Sequence, residues 1–416
     1  MKVVQINATY GNGSTGSIVK DIQYQCLESG IECHVAYSSS SLPQEEIING
    51  YQIGNHLDHT IHAVLTRING KQCYYSKRPT RDLLRWLDGI QPDVIHIHNL
   101  HSNFINMPIL LQRIAQNNIA LVATLHDCWY FTGGCPHFTS SNCLRWKECC
   151  GSCPRKRKDI PSLFDCSKQI LKDKRNLFGR ISKMSVVGVS QWTIEMAQQG
   201  IFKNTPCYVI HNGIDTEIFK PIREVKKIEA IRDKYGIKGS FVILGPASKW
   251  LNPENHNLLN SALELGEDYT LVLYGCNDQQ MSGKIVPATG INTTSLVKIG
   301  LTGNKEELVD IYNMANVFVN CTHEDTFSLI NAEAQACGTP VFCYANTGAK
   351  ETVNTEYGQL VETDDVEGMV ERIKQLKLES SIELCQAELS GWARNCFDKN
   401  NNYKQYIQLY RRIVNC

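Results

Sequence analysis

The chain has 416 residues, 42% hydrophobic and 20% charged, with 42 Lys and Arg against 42 Asp and Glu. That length suits about two domains, each large enough for its own core. The charge balance gives no case for nucleic-acid binding, and no apolar run approaches the roughly 18 residues of a membrane span. Met1-Lys-Val-Val-Gln-Ile-Asn7 reads as a first strand rather than a signal peptide, so a cytoplasmic location is expected. On the same ground the 18 cysteines are expected as reduced thiols or metal ligands rather than disulfides.

Val3 to Ala8 is strand-like and runs into Gly11-Asn-Gly13-Ser-Thr-Gly16, after which Ile18, Ile22, Cys26 and Leu27 set a helical pattern. Formally this is G-x-G-x-x-G between a strand and a helix, where backbone must approach a phosphate and side chains would block it. A dinucleotide is one ligand for such a loop. It would want an acid at the end of the next strand, Glu32 to Tyr37, which instead ends in Ser38-Ser-Ser-Ser41. Tyr74, Tyr75, Arg78, Arg81 and Arg85 could line an acceptor surface or form an ordinary solvated helix face. Pro92 to Asn99 is a buried strand in which His96 and His98 alternate onto one face. Ala120 to Thr124 is the next strand and ends in Leu125-His126-Asp127.

Six cysteines follow: Cys128, Cys135, Cys143, Cys149, Cys150 and Cys153. A C-x2-C knuckle with two further thiolates could close a tetrahedral zinc site; free thiols that merely pack are the other reading. Pro154-Arg-Lys-Arg-Lys158 then joins Lys168, Lys172, Lys174, Arg175, Arg180 and Lys183 in a basic stretch. It could meet anionic lipid or be a solvated helix. Val186 to Ser190 is a strand, Ser190-Gln-Trp192 opens a helix, and Asn212-Gly213 makes a tight turn. Residues 220–238 read as a linker and lead helix.

Phe241 to Leu244 opens a second sheet. In the loop after it, Gly245 to Asn255, Lys249 is the only basic residue. Tyr269 to Gly275 and Val297 to Gly300 are further strands, and Asn304 to Tyr312 a helix. The run Asn313 to Cys321 ends in a buried parallel strand. Then come Glu324, Asp325 and, eight positions after Asp325, Glu333. Ser328 to Cys337 has helical composition, closed by Gly338 and Pro340, and Thr339 to Tyr344 is a strand. A loop at the carboxyl end of a parallel strand is where open α/β sheets place ligands. Its N–H groups suit an anion, and Glu333 could accept hydrogen bonds from sugar hydroxyls. A surface loop with a satisfied Glu is the plainer reading. A last helix is expected over about Tyr403 to Ile413.

Asp325, seven residues, Glu333 and Ala334-Gln-Ala-Cys-Gly-Thr-Pro-Val341 resemble the donor-site signature of the family 4 retaining glycosyltransferases, in which the first acid is usually Glu. Glu324-Asp-Thr-Phe327 is similar to the form written by a subset linked to capsule and exopolysaccharide synthesis. Further matches are Tyr10-Gly-Asn-Gly-Ser-Thr-Gly16, Thr124-Leu-His-Asp127, Ser190-Gln-Trp192 and Val209-Ile-His-Asn-Gly-Ile-Asp215. The cysteine segment resembles an insertion in capsule and colanic-acid members, whose four regular cysteines match Cys135, Cys143, Cys150 and Cys153.

The resemblance implies an α/β protein of GT-B fold, two Rossmann-like domains facing across a cleft. Residues 1–215 would be the acceptor side, with the cysteine insertion at 128–158. Residues 216–400 would bind the nucleotide sugar, and 401–416 would return to the first domain. It implies sugar transfer from a nucleoside-diphosphate sugar to a saccharide or lipid-linked saccharide, with retention, in surface-polysaccharide synthesis. Glu333 would bind ribose. Asp325 or Glu324, with the Phe327-Ser328-Leu329 backbone, would hold sugar and phosphate. Gly13 and Gly16 would admit acceptor and phosphate, and His126 would lie near the reacting sugar. The family's Arg and Lys clamp on the diphosphate is replaced here by Pro253-Glu254-Asn255, leaving Lys249. No catalytic metal or other cofactor is implied; zinc would be structural, with peripheral contact to the inner membrane. Two rivals are a nucleotide-sugar epimerase on the same scaffold and a non-catalytic nucleotide-sugar-binding component of an assembly complex.

Overall fold

The structure, a computed structural model, describes residues 1–283, 285, 290, 293–379 and 382–415, with the backbone alone described for 382–385. The chain divides into two compact units, Met1–Gly213 with Asn400–Cys416, and Ile214–Lys399.

The first unit is built on β1 (Lys2–Tyr10), β2 (Glu32–Ser40), β3 (Gly50–Gln52), β4 (Val94–Ile97), β5 (Ala120–Leu125), β6 (Met184–Gly188) and β7 (Cys207–Val209). They form one parallel sheet in the order β3-β2-β1-β4-β5-β6-β7. Every residue of β4 and β5 is buried, as expected of central strands covered on both faces. Side chains alternate between two cores. Val4 and Ile6 of β1 pack with Leu110, Leu111 and Ile114, whereas Val3 packs with Ile18, Ile22 and Cys26. The second core also takes Tyr403, Tyr406, Ile407, Tyr410 and Ile413 from the last helix, Lys399–Asn415, which brings the end of the chain back into this unit.

The second unit is built on β8 (Phe241–Pro246), β9 (Tyr269–Cys276), β10 (Ser295–Gly300), β11 (Val317–Asn320), β12 (Val341–Tyr344) and β13 (Gln359–Val361). These are also all parallel, in the order β10-β9-β8-β11-β12-β13. Trp250 is fully buried under this sheet and donates to the Val319 carbonyl at 3.0 Å. It packs so tightly on Gly245 that a Cβ there would collide with the indole.

Each sheet reverses its strand order once, between β1 and β4 in the first unit and between β8 and β11 in the second. Ligand crevices of open parallel sheets form outside the carboxyl ends of the strands at such switch points. The connection leaving β1 is Gly11-Asn12, running into a helix that starts at Gly13, and the one leaving β4 begins with His98-Asn99. Those leaving β8 and β11 carry Lys249 and the acidic run.

Candidate functional sites at the two switch points

In the second unit the helix after β11 spans Leu329–Ala336, with Ser328 in extended geometry at its cap and, among the described residues, no side-chain capping bond. Those groups are therefore available to an anion. Beneath it, Asn320 donates to Ser328 Oγ at 3.0 Å and Asn331 Oδ1 at 2.8 Å, and Asn331 donates to Thr352 at 2.9 Å. Gln335 completes this buried amide network through the Asn331 and Thr352 carbonyls. The helix start is thus fixed by polar bonds under it.

Asp325 accepts the Phe327 N–H at 3.2 Å through its carboxylate. Its own N–H donates to Thr347 Oγ1 at 3.3 Å, and its carbonyl accepts from Gly348 at 3.1 Å. Thr347 has φ +46°, a strained value for a β-branched residue, in the turn that holds the acidic loop. Glu324 is partly exposed beside it. Phe327 is buried against Phe397, ring centroids 5.6 Å apart.

Glu333 lies one turn into the helix and accepts from the Tyr312 hydroxyl at 2.9 Å. Burial pushes its carboxyl up to about 7, against the Tyr312 bond and Lys305, which favour ionisation. Lys249 is partly exposed in the short turn Ala247–Trp250 after β8, and its ammonium opposes the upward shift that burial imposes on Cys321 at the end of β11. Asn255 ties the two loops together, donating to the Lys249 carbonyl at 3.0 Å and the Cys321 carbonyl at 2.9 Å. In the run Pro253-Glu254-Asn255, Glu254 stands 3.4 Å from His323, which also meets Asp364 at 2.8 Å.

In the first unit Gly11 donates to the Gly16 carbonyl at 2.9 Å. Gly13 has φ +65° and open space where a Cβ would stand; at Gly16 a Cβ would lie 2.8 Å from Thr9 Oγ1. The helix Gly13–Glu28 starts without a side-chain cap or an acid in its first turn, so its N–H groups also suit an anion.

His126 closes a buried relay. Gln5 donates through Nε2 to the Val19 carbonyl at 3.0 Å, so its Oε1 accepts from His98 Nε2 at 3.0 Å. His98 is fully buried, and burial holds its pKa well below the ordinary value. It is therefore neutral, and its Nδ1 accepts from His126 Nε2 at 3.0 Å. Burial holds His126 down to about 4. The network assigns it the neutral Nε2–H tautomer, with Nδ1 as an acceptor. His96, expected beside His98 at a ligand face, is buried instead between the Tyr410 hydroxyl at 2.6 Å and Thr124 at 2.7 Å. Asp127 binds His101 at 2.7 Å and the Trp129 N–H at 2.7 Å; although burial opposes it, His101 holds the Asp127 carboxyl below the usual range. Arg78, Arg81 and Arg85 form an exposed helix face.

Cys135, Cys143, Cys150 and Cys153 all line one small cavity. Among the described residues, no group of three or more His, Cys, Asp or Glu is placed to hold a metal ion. The insertion has other staples. Trp146 is buried against Phe131 and Phe138 at 5.1 and 4.9 Å, and Arg155 is buried in an ion pair with Asp159 at 2.6 Å. Lys174, expected on the basic surface, is fully buried. Its ammonium lies over the Trp129 ring and donates to the Thr132 carbonyl at 3.1 Å, and burial brings its pKa down to about 7.

Tyr312, the Thr347-Gly348 turn, Glu254 with His323 and the Gln5–His98 relay are further members of these sites. Only Asn346-Thr-Gly348 after a strand carried a local turn signal; the others act across gaps of 21 residues or more.

Comparison with known proteins agrees with this architecture. Residues 18–218 match the family described as Glycosyltransferase Family 4, and residues 227–387 match Glycosyl transferases group 1. The chain is 23% identical over 424 residues to WcaC of Escherichia coli, named as a colanic acid biosynthesis glycosyl transferase, covering 99% of this chain and 100% of that one. It is 22% identical over 221 residues to the N,N'-diacetylbacillosaminyl-diphospho-undecaprenol alpha-1,3-N-acetylgalactosaminyltransferase of Campylobacter jejuni, covering 53% of this chain and 57% of that one. Among solved structures, HepE of Anabaena in complex with UDP superposes with a TM-score of 0.67 at 15% identity, covering 99% of this chain and 100% of that one. Two parallel Rossmann-like sheets, two family matches that together run from residue 18 to 387, and a full-length likeness to a glycosyl transferase converge: the chain is an enzyme that belongs to the family 4 glycosyltransferases and has the GT-B fold.

Proposed function

We propose that this glycosyltransferase moves a sugar, with retention at the anomeric carbon, from a nucleoside-diphosphate sugar to a saccharide or lipid-linked saccharide in surface-polysaccharide synthesis. The observation that carries the reading is the arrangement at the β8/β11 switch point, where Lys249, the uncapped helix start at Ser328-Leu329 and the carboxylate of Glu333 leave one strand-order reversal. A diphosphate needs N–H donors and a cation; a ribose needs a hydroxyl acceptor. Glu333 takes the ribose, the Phe327-Ser328-Leu329 backbone and Lys249 take the diphosphate, and Asp325 or Glu324 takes sugar hydroxyls. Gly13 and Gly16 leave room for phosphate and acceptor at the first switch point. His126, at the end of β5, is the residue assigned to lie near the sugar being moved. No covalent residue is assigned; the leaving phosphate assists the acceptor oxygen. The UDP bound to HepE supports a nucleotide ligand, and the Campylobacter jejuni relative's name supports a diphosphate-lipid acceptor. A structural zinc would stand outside the reaction; Cys135, Cys143, Cys150 and Cys153 share one cavity, but among the described residues no three are placed as ligands.

A second reading, donor binding without transfer, is favoured by one observation: Glu254 against His323 occupies the place of the family's Arg and Lys. Incubation with a panel of UDP-, GDP-, ADP- and dTDP-sugars and a lipid-diphosphate-linked saccharide separates them. Transfer predicts acceptor-dependent release of one nucleoside diphosphate and a product whose anomeric configuration by NMR equals the donor's. An inverted product refutes retention, an isomerised donor points to an epimerase, and binding without any release supports the second reading.

A further inference from the structure

Glu333 is aimed from outside its own helix. The helix Lys305–Asn313 carries Tyr312, whose hydroxyl donates to Glu333 Oε2 at 2.9 Å. The Tyr312 proton is committed to that bond. Its oxygen also lies 3.3 Å from the Tyr274 hydroxyl, so in that second contact Tyr274, near the end of β9, is the donor. Burial pushes both hydroxyls up, which keeps them protonated and able to donate. The result is a chain of hydrogen bonds from Tyr274 through Tyr312 to Glu333. Tyr312 has little freedom to leave it. Its ring packs on Phe318 at 5.7 Å and Phe219 at 6.1 Å, and its carbonyl accepts from Thr339 Oγ1 at 2.7 Å. Tyr312 is 0% exposed, so no ligand atom reaches it and it can act only through Glu333. Glu333 is half-buried, and among the described residues its Oε1 makes no hydrogen bond.

We propose that Tyr312 is a positioning residue for the donor: it fixes Glu333 Oε2 and so presents Oε1 to a hydroxyl of the nucleotide's sugar, with Tyr274 as the outer anchor. This rests on the assignment of Glu333 to the donor ribose. A binding group is held in productive geometry when the residues behind it are themselves locked by packing and hydrogen bonds, and the aromatic cluster supplies both. The groups that face Glu333 are Tyr312 and Lys305 of the neighbouring helix, Tyr274 of β9 and Cys337 beyond its own helix. Lys305 is the cation among them; burial keeps the Cys337 thiol and the two tyrosines neutral. The Tyr312 bond favours the ionised carboxylate against burial, and a carboxylate is a stronger acceptor than the neutral acid. The same bond therefore aims Glu333 and extends the pH range over which it holds a hydroxyl.

Calorimetry with UDP, GDP, ADP and dTDP, repeated across pH, tests this on the wild type, Tyr312→Phe, Tyr274→Phe, Glu333→Ala and the double variant Tyr312→Phe with Glu333→Ala. Phenylalanine keeps the ring packing and removes only the hydroxyl. For a nucleotide that the wild type binds, Tyr312→Phe is expected to bind about tenfold more weakly at neutral pH, the size of one lost hydrogen bond to a charged group. Its affinity should also develop about one pH unit higher, because the bond that favoured ionisation is gone. Tyr274→Phe should move both readings the same way by less. In the Glu333→Ala background Tyr312→Phe should change nothing further, since the two act as one unit. Carboxyl 13C titration of the unliganded protein, with Glu333 identified by its loss in Glu333→Ala, should show the same upward shift in Tyr312→Phe. A Tyr312→Phe protein with wild-type affinity and pH profile overturns this inference and leaves the donor assignment standing. So does an equal loss of affinity in the Glu333→Ala background, which would make Tyr312 a support of the fold alone. A wild type that binds none of the four nucleotides, or binds them no better than Glu333→Ala does, overturns the donor assignment and this inference with it.

Discussion

Glu333→Gln should stabilise the unliganded protein and weaken its ligand. Burial raises the Glu333 carboxyl from 4.5 to about 7, so the folded chain binds its proton more tightly than the unfolded chain does. Between those values the unfolded state ionises first, and stability falls as pH rises from about 4.5 through 7. Each pKa unit corresponds to about 1.4 kcal/mol. Discounted because the residue is partly exposed, the cost above pH 7 is on the order of 2 kcal/mol. Glutamine still accepts the Tyr312 hydrogen bond without that cost. The variant should therefore melt roughly 4–8 °C above the wild type at pH 8 and level with it at pH 5. A nucleoside-diphosphate sugar that uses the carboxylate as hydroxyl acceptor should bind the wild type more tightly as pH rises from 6 to 8, and calorimetry in buffers of different ionisation enthalpy should show proton release. Glu333→Gln should lose both the affinity and its pH dependence. Scanning calorimetry at pH 5 and pH 8 measures the first effect. A variant less stable than the wild type at pH 8, or a wild-type affinity flat across that range, would refute the reasoning.

Other outcomes follow from the same contacts. Gly16→Ala sets a methyl 2.8 Å from Thr9 Oγ1 and should cost about 1–3 kcal/mol in urea unfolding. Gly245→Ala, which collides with buried Trp250, should cost at least as much, and a neutral result would show that the indole can move. Long-range 1H–15N spectra of histidine-labelled protein should place the proton of neutral His126 on Nε2; a proton on Nδ1 would break the relay through His98 and Gln5. Because among the described residues no three cysteines, histidines or acids are placed to hold a metal, protein purified without a histidine tag should carry less than a tenth of an equivalent of zinc; about one equivalent would show that Cys135, Cys143, Cys150 and Cys153 close on the metal.

The sheets were legible because parallel strands buried on both faces read as short apolar runs between helical patterns, as at Val94–Ile97 and Val317–Asn320. The acidic run and the glycine loop were legible because each is local: a strand end, a turn and a helix start within about twenty residues. What sequence could not give was burial. His96 and His98 alternate in sequence, yet Tyr410 and Thr124 close over one while the other joins Gln5 and His126. Lys174 belongs to a run of cations but enters the core because Trp129 and two carbonyls receive it.

The most direct test of the central claim is titration of the wild type and Glu333→Ala with the nucleoside-diphosphate sugars by calorimetry. The account predicts saturable binding of one donor class by the wild type and at least about a tenfold weaker affinity for Glu333→Ala, as loss of a buried hydrogen-bonding carboxylate implies. Equal affinity in the two proteins would contradict the placement of the donor at the β8/β11 switch point.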